Sequence, residues 1–185
     1  MPITFNGNAV NYVTYLEIDV GKVTYNGITV FEKGSAYSTF KFEHHVSSSE
    51  KFYFVGRIPE IFLLDSTGAI ASIAIDVLDQ LNTITVSSSL SSGIYILYVK
   101  GDGETLYSVG GGTTTQKISP SVKYITLNND VGAISMAGLG NCSNLEFIEL
   151  GENISSIGAL GLGSCSSLYT IVCKSPSPPT LGGGH

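Results

Sequence analysis

The sequence predicts an all-β protein in which an N-terminal antiparallel β-sandwich is followed by a short repeat solenoid. Three observations carry this. The first 110 residues break into short alternating apolar–polar segments separated by Gly, Ser and Asn turns. Helical periodicity is nearly absent, with only "IAIDVLDQL" (73–81) able to host a turn or two. Beyond residue 121, equivalent residues recur at a fixed interval of 23 positions: Cys142 with Cys165, Leu145 with Leu168, Ile134 with Ile157, Val131 with Ile154, and Ile125 with Ile148. A constant period of this size is the signature of stacked solenoid turns.

The elements follow in order. "KVTYNGITVF" (22–31) sets Asn26-Gly27 between alternating residues, the strongest short-range hairpin signal. "KFYFVGRI" (51–58) and "EIFLLDSTGAIASIAID" (60–76) continue the strand pattern, the second turning at Ser66-Thr67-Gly68. "NTITVSSSL" (82–90) and "GIYILYVKGDGETLYSV" (93–109) add three more strands, with a turn at Gly101-Asp102-Gly103. Many short strands with regular turns imply a sandwich over residues 1–111. "GGGTTTQKISPS" (110–121) interrupts the pattern, so residues 112–121 are expected to be a linker, with Lys117-Ile118 able to pair with a neighbour. The repeat module spans 122–185. Its core positions are Ile125, Ile134, Leu145, Ile148, Ile157, Leu168 and Ile171, and Ile125, Ile148 and Ile171 are expected to start successive parallel strands. Pro176, Pro178 and Pro179 close the solenoid, because proline cannot donate to a ladder.

Composition excludes several function classes. Hydrophobic residues make up 43% of the 185, enough for a packed core. Charged residues are 13%, about half the roughly 25% usual for soluble domains, which favours a protein packed among partners. The net charge is −6, and nine scattered basic residues form no cluster for phosphates, so nucleic-acid binding is not expected. "MPITFNGNAVNY" carries no basic and apolar leader pattern, so no secretory signal is expected: the chain would be made in a cytoplasm and reach the outside, if at all, by another route. No apolar run reaches the length of about 18 residues that a membrane helix needs, and no membrane partner is expected.

Candidate chemistry is sparse. His44-His45 sits where neighbouring strand residues point to opposite faces, so the two imidazoles cannot easily share a metal, and a solvated strand end is expected. Asp102-Gly103-Glu104 lacks the ladder of ligands of a calcium loop and is read as a hairpin turn. The glycines at 110–112 belong to no phosphate-binding motif, and no serine lies in a G-x-S-x-G elbow. No catalytic, cofactor-binding or metal-ligating residue is assigned, and an enzyme is not expected. Cys142 and Cys165, one turn apart, should lie about 4.8 Å from each other. Ladder side chains aim the same way and fit the disulfide torsion badly, so buried stacked thiols are expected. The 10 tyrosines outnumber the 8 phenylalanines; Tyr12, Tyr15, Tyr95, Tyr98, Tyr107, Tyr124 and Tyr169 could together supply a contact surface, with ordinary sheet packing the preferred reading for any single one.

Ile157-Gly158 with Cys165-Ser166-Ser167-Leu168, Ile134 with Cys142-Ser143-Asn144-Leu145, and the ending "CKSPSPPTLG" resemble the BspA-type leucine-rich repeats, over about 60 residues from Val122 to Leu181. That family's Ala-Phe is replaced by Gly138-Leu139 and Gly161-Leu162, which should narrow the turn or leave room for another chain. "IFLLDSTGAI" and "LSSGIYILYVKGDGETLYSV" are similar in shape to the C-terminal sandwich of the type IX secretion system, although more than 70 residues follow here. Both flavours are common among gut Bacteroidetes and their phages. The resemblances imply a non-enzymatic structural protein of a phage virion: a fibre, spike or capsid decoration whose repeats contact a host-surface glycan or protein or a neighbouring subunit. The alternative is a BspA-like adhesin, secreted or on the bacterial cell surface. The expected location is accordingly the virion or, for the alternative, the bacterial cell surface. Two full turns and a fragment are few for a solenoid, and residues 125–185 carry only Asp130, Glu146, Glu149, Glu152 and Lys174 as charges. The expectation is therefore a homotrimer with contacts through 112–185, alongside other virion proteins.

Overall fold

The computed structural model describes residues 36–78 and 80–183, together with the backbone of four short strands before them. Those four form one compact unit within residues 1–35. Strands β1 (Thr4–Phe5) and β2 (Asn8–Ala9) pair antiparallel, as do β3 (Lys22–Tyr25) and β4 (Ile28–Glu32), with Tyr25 opposite Ile28. The expected turn residues Asn26-Gly27, like Tyr12 and Tyr15, lie outside the described residues.

Residues 36–185 form the second unit. Its described strands are β5 (Ser38–His44), β6 (Lys51–Val55), β7 (Glu60–Asp65), β8 (Ile70–Ala71), β9 (Ile73–Leu78), β10 (Leu81–Val86), β11 (Gly93–Lys100) and β12 (Tyr107–Val109), followed by β13 (Val122–Thr126), β14 (Val131–Ile134), β15 (Phe147–Leu150), β16 (Ser156–Ile157), β17 (Thr170–Cys173) and β18 (Thr180–Leu181). They make two seven-stranded sheets, in the orders β17-β15-β13-β5-β11-β7-β8 and β18-β16-β14-β12-β6-β10-β9. The all-β expectation holds for the described residues. "IAIDVLDQL", the one stretch with helical potential, supplies the edge strand β9.

Alternation explains which face each strand buries. On β5, Ser38, Phe40, Phe42 and His44 are buried while Thr39, Lys41 and Glu43 are partly exposed, the period-2 pattern of a half-buried strand. The buried faces of the two sheets meet: Phe40 on β5 packs edge-to-face with Phe54 on β6, ring centroids 5.3 Å apart, and Phe42 lies 5.2 Å from Phe52. Leu63, Ile84, Leu97 and Val99 complete this part of one continuous core that runs on through Val109, Ile125, Ile148 and Ile157.

Each sheet changes character along its width. From β5 and β6 outward to β8 and β9 every pairing is antiparallel. In the other direction β13, β15 and β17 are parallel to one another, as are β12, β14, β16 and β18. The change falls where β13 pairs antiparallel with β5 and β12 with β6. The division expected between 1–111 and 122–185 therefore lies inside a single unit. Residues 112–121 are a core-contributing connection and not a free linker: Ile118 is fully buried and its N–H donates to the Gly138 carbonyl at 2.8 Å.

The 23-residue period takes the form of solenoid-like stacking. Ile125 is the register partner of Ile148, Ile148 of Ile171, and Ile134 of Ile157. The connecting turns repeat too. Ala137 and Leu160 have φ of 53° and 56°, and Asn141 and Ser164 have 61° and 60°, four left-handed non-glycine residues in two matched pairs. Stacked turns bond directly, Ala137 N–H to the Ala159 carbonyl, Leu139 to Gly161, and Asn141 to Gly163. The backbone packs closely around Gly138 and Gly161. A Cβ on Gly138 would lie 2.5 Å from the Val109 carbonyl oxygen, and one on Gly161 would lie 2.8 Å from the Gly158 oxygen.

Candidate functional site

Three places concentrate chemistry or unsatisfied surface: the thiols of the repeat, the cluster around His44, and the two ends of the sheets. Cys142 and Cys165 do sit in adjacent turns, both as free thiols. Cys142 is buried, with its Sγ directed at the Ile118 carbonyl, 3.6 Å away, and burial pushes its pKa up from 9.0 to about 12. Cys165 is half-buried against the Leu139 carbonyl at 3.1 Å, and burial raises its pKa as well. Thiols held protonated in this way are poor nucleophiles and poor metal ligands. Cys173, unremarked in the sequence reading, is exposed on β17 at the register position of Leu150.

His44 corrects an expectation. The two histidines do point to opposite faces, but only His45 is solvated, with 71% of its side chain exposed, whereas His44 is fully buried. Its Nδ1 lies 2.5 Å from Glu50 Oε2, and Ser48 Oγ donates to Glu50 Oε1 at 2.7 Å and lies 3.3 Å from Nδ1. The Tyr95 ring meets the imidazole edge-on at 5.8 Å. In a catalytic triad the hydroxyl and the carboxylate occupy opposite ring nitrogens. Here both crowd Nδ1, while Nε2 is buried without a hydrogen-bond partner. The cluster fixes the turn after β5, where Ser47 has φ 71°. The signal that could have found it is the alternation of "STFKFEH", which carries the inward face from Phe40 and Phe42 to His44.

A second buried polar network joins the antiparallel and parallel parts. Tyr107 OH donates to Ser38 Oγ at 2.7 Å, Ser38 Oγ donates to Asn128 Oδ1 at 2.9 Å, and Asn128 Nδ2 donates to Asp130 Oδ2 at 3.1 Å. Asp130 in turn accepts the Gly101 N–H at 3.1 Å. Burial pushes the Tyr107 hydroxyl well above its ordinary range. Asp102 serves its turn by accepting the N–H groups of Thr105 and Glu104, which lower its pKa. The turn is not the expected hairpin, because it carries the chain from β11 in one sheet to β12 in the other. Among the described residues, no group of three or more His, Cys, Asp or Glu side chains is placed to hold a metal ion.

The candidate tyrosines divide. Tyr95 and Tyr107 are core residues and leave the list of surface candidates. Tyr98 stacks on Phe62 with centroids 4.8 Å apart, and Tyr124 and Tyr169 are exposed. The repeat-core positions also divide. Ile125, Ile134, Leu145, Ile148 and Ile157 are buried, Leu168 is partly buried, and Ile171 is 52% exposed. The last turn presents the same inward residues as its predecessors, with nothing stacked on them among the described residues. Leu160, Tyr169 and Leu181 are exposed at the same end. The opposite end, formed by β8 and β9, exposes Ile70, Ile75, Val77 and Leu78.

No family model matches this chain, and no curated protein and no solved structure matches it. No described helix is long and apolar enough to cross a membrane.

Proposed function

We propose that this chain is a non-enzymatic structural component of a phage virion, a fibre, spike or capsid decoration that works by packing against copies of itself and other virion proteins. In this reading the antiparallel part is a β-sandwich that anchors the chain, and the stacked turns are a short leucine-rich-repeat solenoid facing a host surface or a neighbouring subunit. No residue is catalytic, and no cofactor, metal or nucleic acid is bound. The observation that carries the reading is the open end of the ladder. Ile171 occupies the position that is fully buried at Ile125 and Ile148, yet is half exposed. A turn that leaves core positions in water is built for a partner. The low charge content supports the same conclusion.

The test is mass spectrometry and cryo-EM of phage particles purified from lysates of cells that produce the chain. The reading requires the chain in the particles at a fixed stoichiometry, with density for the stacked turns at a subunit contact. Particles that lack it, with the chain recovered from the cell surface, would replace this proposal with the adhesin.

A further inference from the structure

The end of the sheets formed by β17 and β18 is the surface on which most observations converge. Among the described residues, no strand pairs with the outer side of β17 or β18. Leu150 accepts the Lys174 N–H on its carbonyl at 3.0 Å, and so faces the strand that follows it. Cys173 holds Leu150's place on β17, and Ile171 holds that of Ile148. The amides and carbonyls of Ile171 and Cys173 therefore face outward, because alternate residues of a strand bond to opposite sides. Their side chains, together with Leu181 on β18, leave the apolar interior uncovered at the same edge.

Exposed strand edges are normally guarded by charge. From Leu168 to Gly183 the only charged residue is Lys174, and it is engaged with Glu149 at 2.5 Å. An identical edge brought up to this one meets no like charge. The chain also shows how such a ladder is closed: at its other side β13 is covered by the antiparallel strand β5, with Ile125 opposite Phe40. Strand lengths select the partner. The opposite end offers β8 with 2 residues and β9 with 6, in the sheets where β17 has 4 and β18 has 2. Head-to-tail stacking would mismatch both, whereas a twofold axis pairs β17 with β17 and β18 with β18.

We propose that the β17–β18 edge is a self-association surface, on which a second copy of this chain docks about a twofold axis with β17 antiparallel to β17. Ile171 of one copy lies opposite Cys173 of the second copy, and the two seven-stranded sheets continue across the interface. The twofold replaces the threefold expected from sequence, because a strand edge that pairs with itself closes after two copies. This inference rests on the self-association reading above and names its surface.

The experiment is sedimentation of the full chain at micromolar concentration, alongside Cys173→Pro and Ile171→Lys, with amide hydrogen exchange of the wild type. Proline at 173 removes only an outward N–H and spares the internal ladder. The expected result is a wild-type dimer, protection of the Ile171 and Cys173 amides that grows with concentration, and monomeric variants with unchanged circular dichroism. A monomeric wild type would overturn both this proposal and the self-association reading. A trimer, or an oligomer that persists in both folded variants, would overturn the edge alone. Should either variant fail to fold, fast exchange at Ile171 and Cys173 in an oligomeric wild type would overturn it equally.

Discussion

Leu145 and Leu168 are the same repeat position in successive turns, and the structure gives them different environments. Leu145 is fully buried, with turns on both sides, whereas Leu168 lies in the last turn and is only partly buried. Truncating a leucine enclosed on all sides removes its transfer free energy and leaves a void, a loss of about 2–5 kcal/mol. At Leu168 water fills the space, so no void term applies; about half of the roughly 1.5–3 kcal/mol for burying a leucine is lost, near 1 kcal/mol. Urea unfolding followed by circular dichroism measures both, at a concentration low enough to keep the chain monomeric. Leu145→Ala should lower the midpoint strongly, Leu168→Ala slightly, with neither changing the slope. For a chain of this size Leu145→Ala corresponds to roughly 4–20 °C in melting temperature. Equal losses at the two sites, or a loss below about 1 kcal/mol at Leu145, would refute the stacking of turns on which these values depend.

Other outcomes follow from the same geometry. At a concentration low enough to keep the chain monomeric, an alkylating reagent should modify Cys173 first, Cys165 slowly, and Cys142 only on unfolding, read by mass spectrometry. Because burial holds Cys142 at about 12 against 9.0, the folded chain keeps a proton that the unfolded chain releases; stability should be complete below pH 9, fall as pH climbs toward 12, and fall less steeply in Cys142→Ala. His44→Ala leaves the buried Glu50 side chain with Ser48 as its one side-chain partner and should cost about 1–3 kcal/mol in denaturant, whereas His45→Ala should stay within about 0.5 kcal/mol. Tyr107→Phe removes one donor from the Ser38–Asn128 network and should cost about 1 kcal/mol. Gly138→Ala drives a methyl against the Val109 carbonyl and should cost about 1–3 kcal/mol by thermal melt, with Gly183→Ala, in open space, as the silent control.

How much was legible depends on whether the signal was local. The parallel ladders could be read because a solenoid turn repeats its own contacts: Ile125, Ile148 and Ile171 announce their register by spacing alone. The hairpin turn at Ser66-Thr67-Gly68 was readable because Asp65 binds the backbone within four residues of itself. At Gly101-Asp102-Gly103 only the turn was readable: Asp102 binds the nearby backbone, but the chain there crosses from one sheet to the other. What stayed hidden are long-range pairings. Nothing near residue 120 reveals that β13 lies beside β5, joining 122–126 to 38–44 and merging two expected modules into one pair of sheets. His44 was misplaced although the alternation of its own strand carries the inward face to it; what stayed hidden there is Tyr95, which closes over the imidazole from β11. Sheet packing was the expectation for Tyr107, but not its hydroxyl's partner Ser38, 69 residues away.

The central claim is that a 23-residue register continues antiparallel sheets as stacked parallel turns. Cross-strand nuclear Overhauser contacts in the isotope-labelled full chain test it most directly. The account predicts backbone contacts linking Ile125 to Ile148, Ile148 to Ile171 and Ile134 to Ile157 in parallel register, and Ile125 to Phe40 in antiparallel register. Contacts shifted by one or more residues, or an Ile125 strand without a partner on β5, would contradict it.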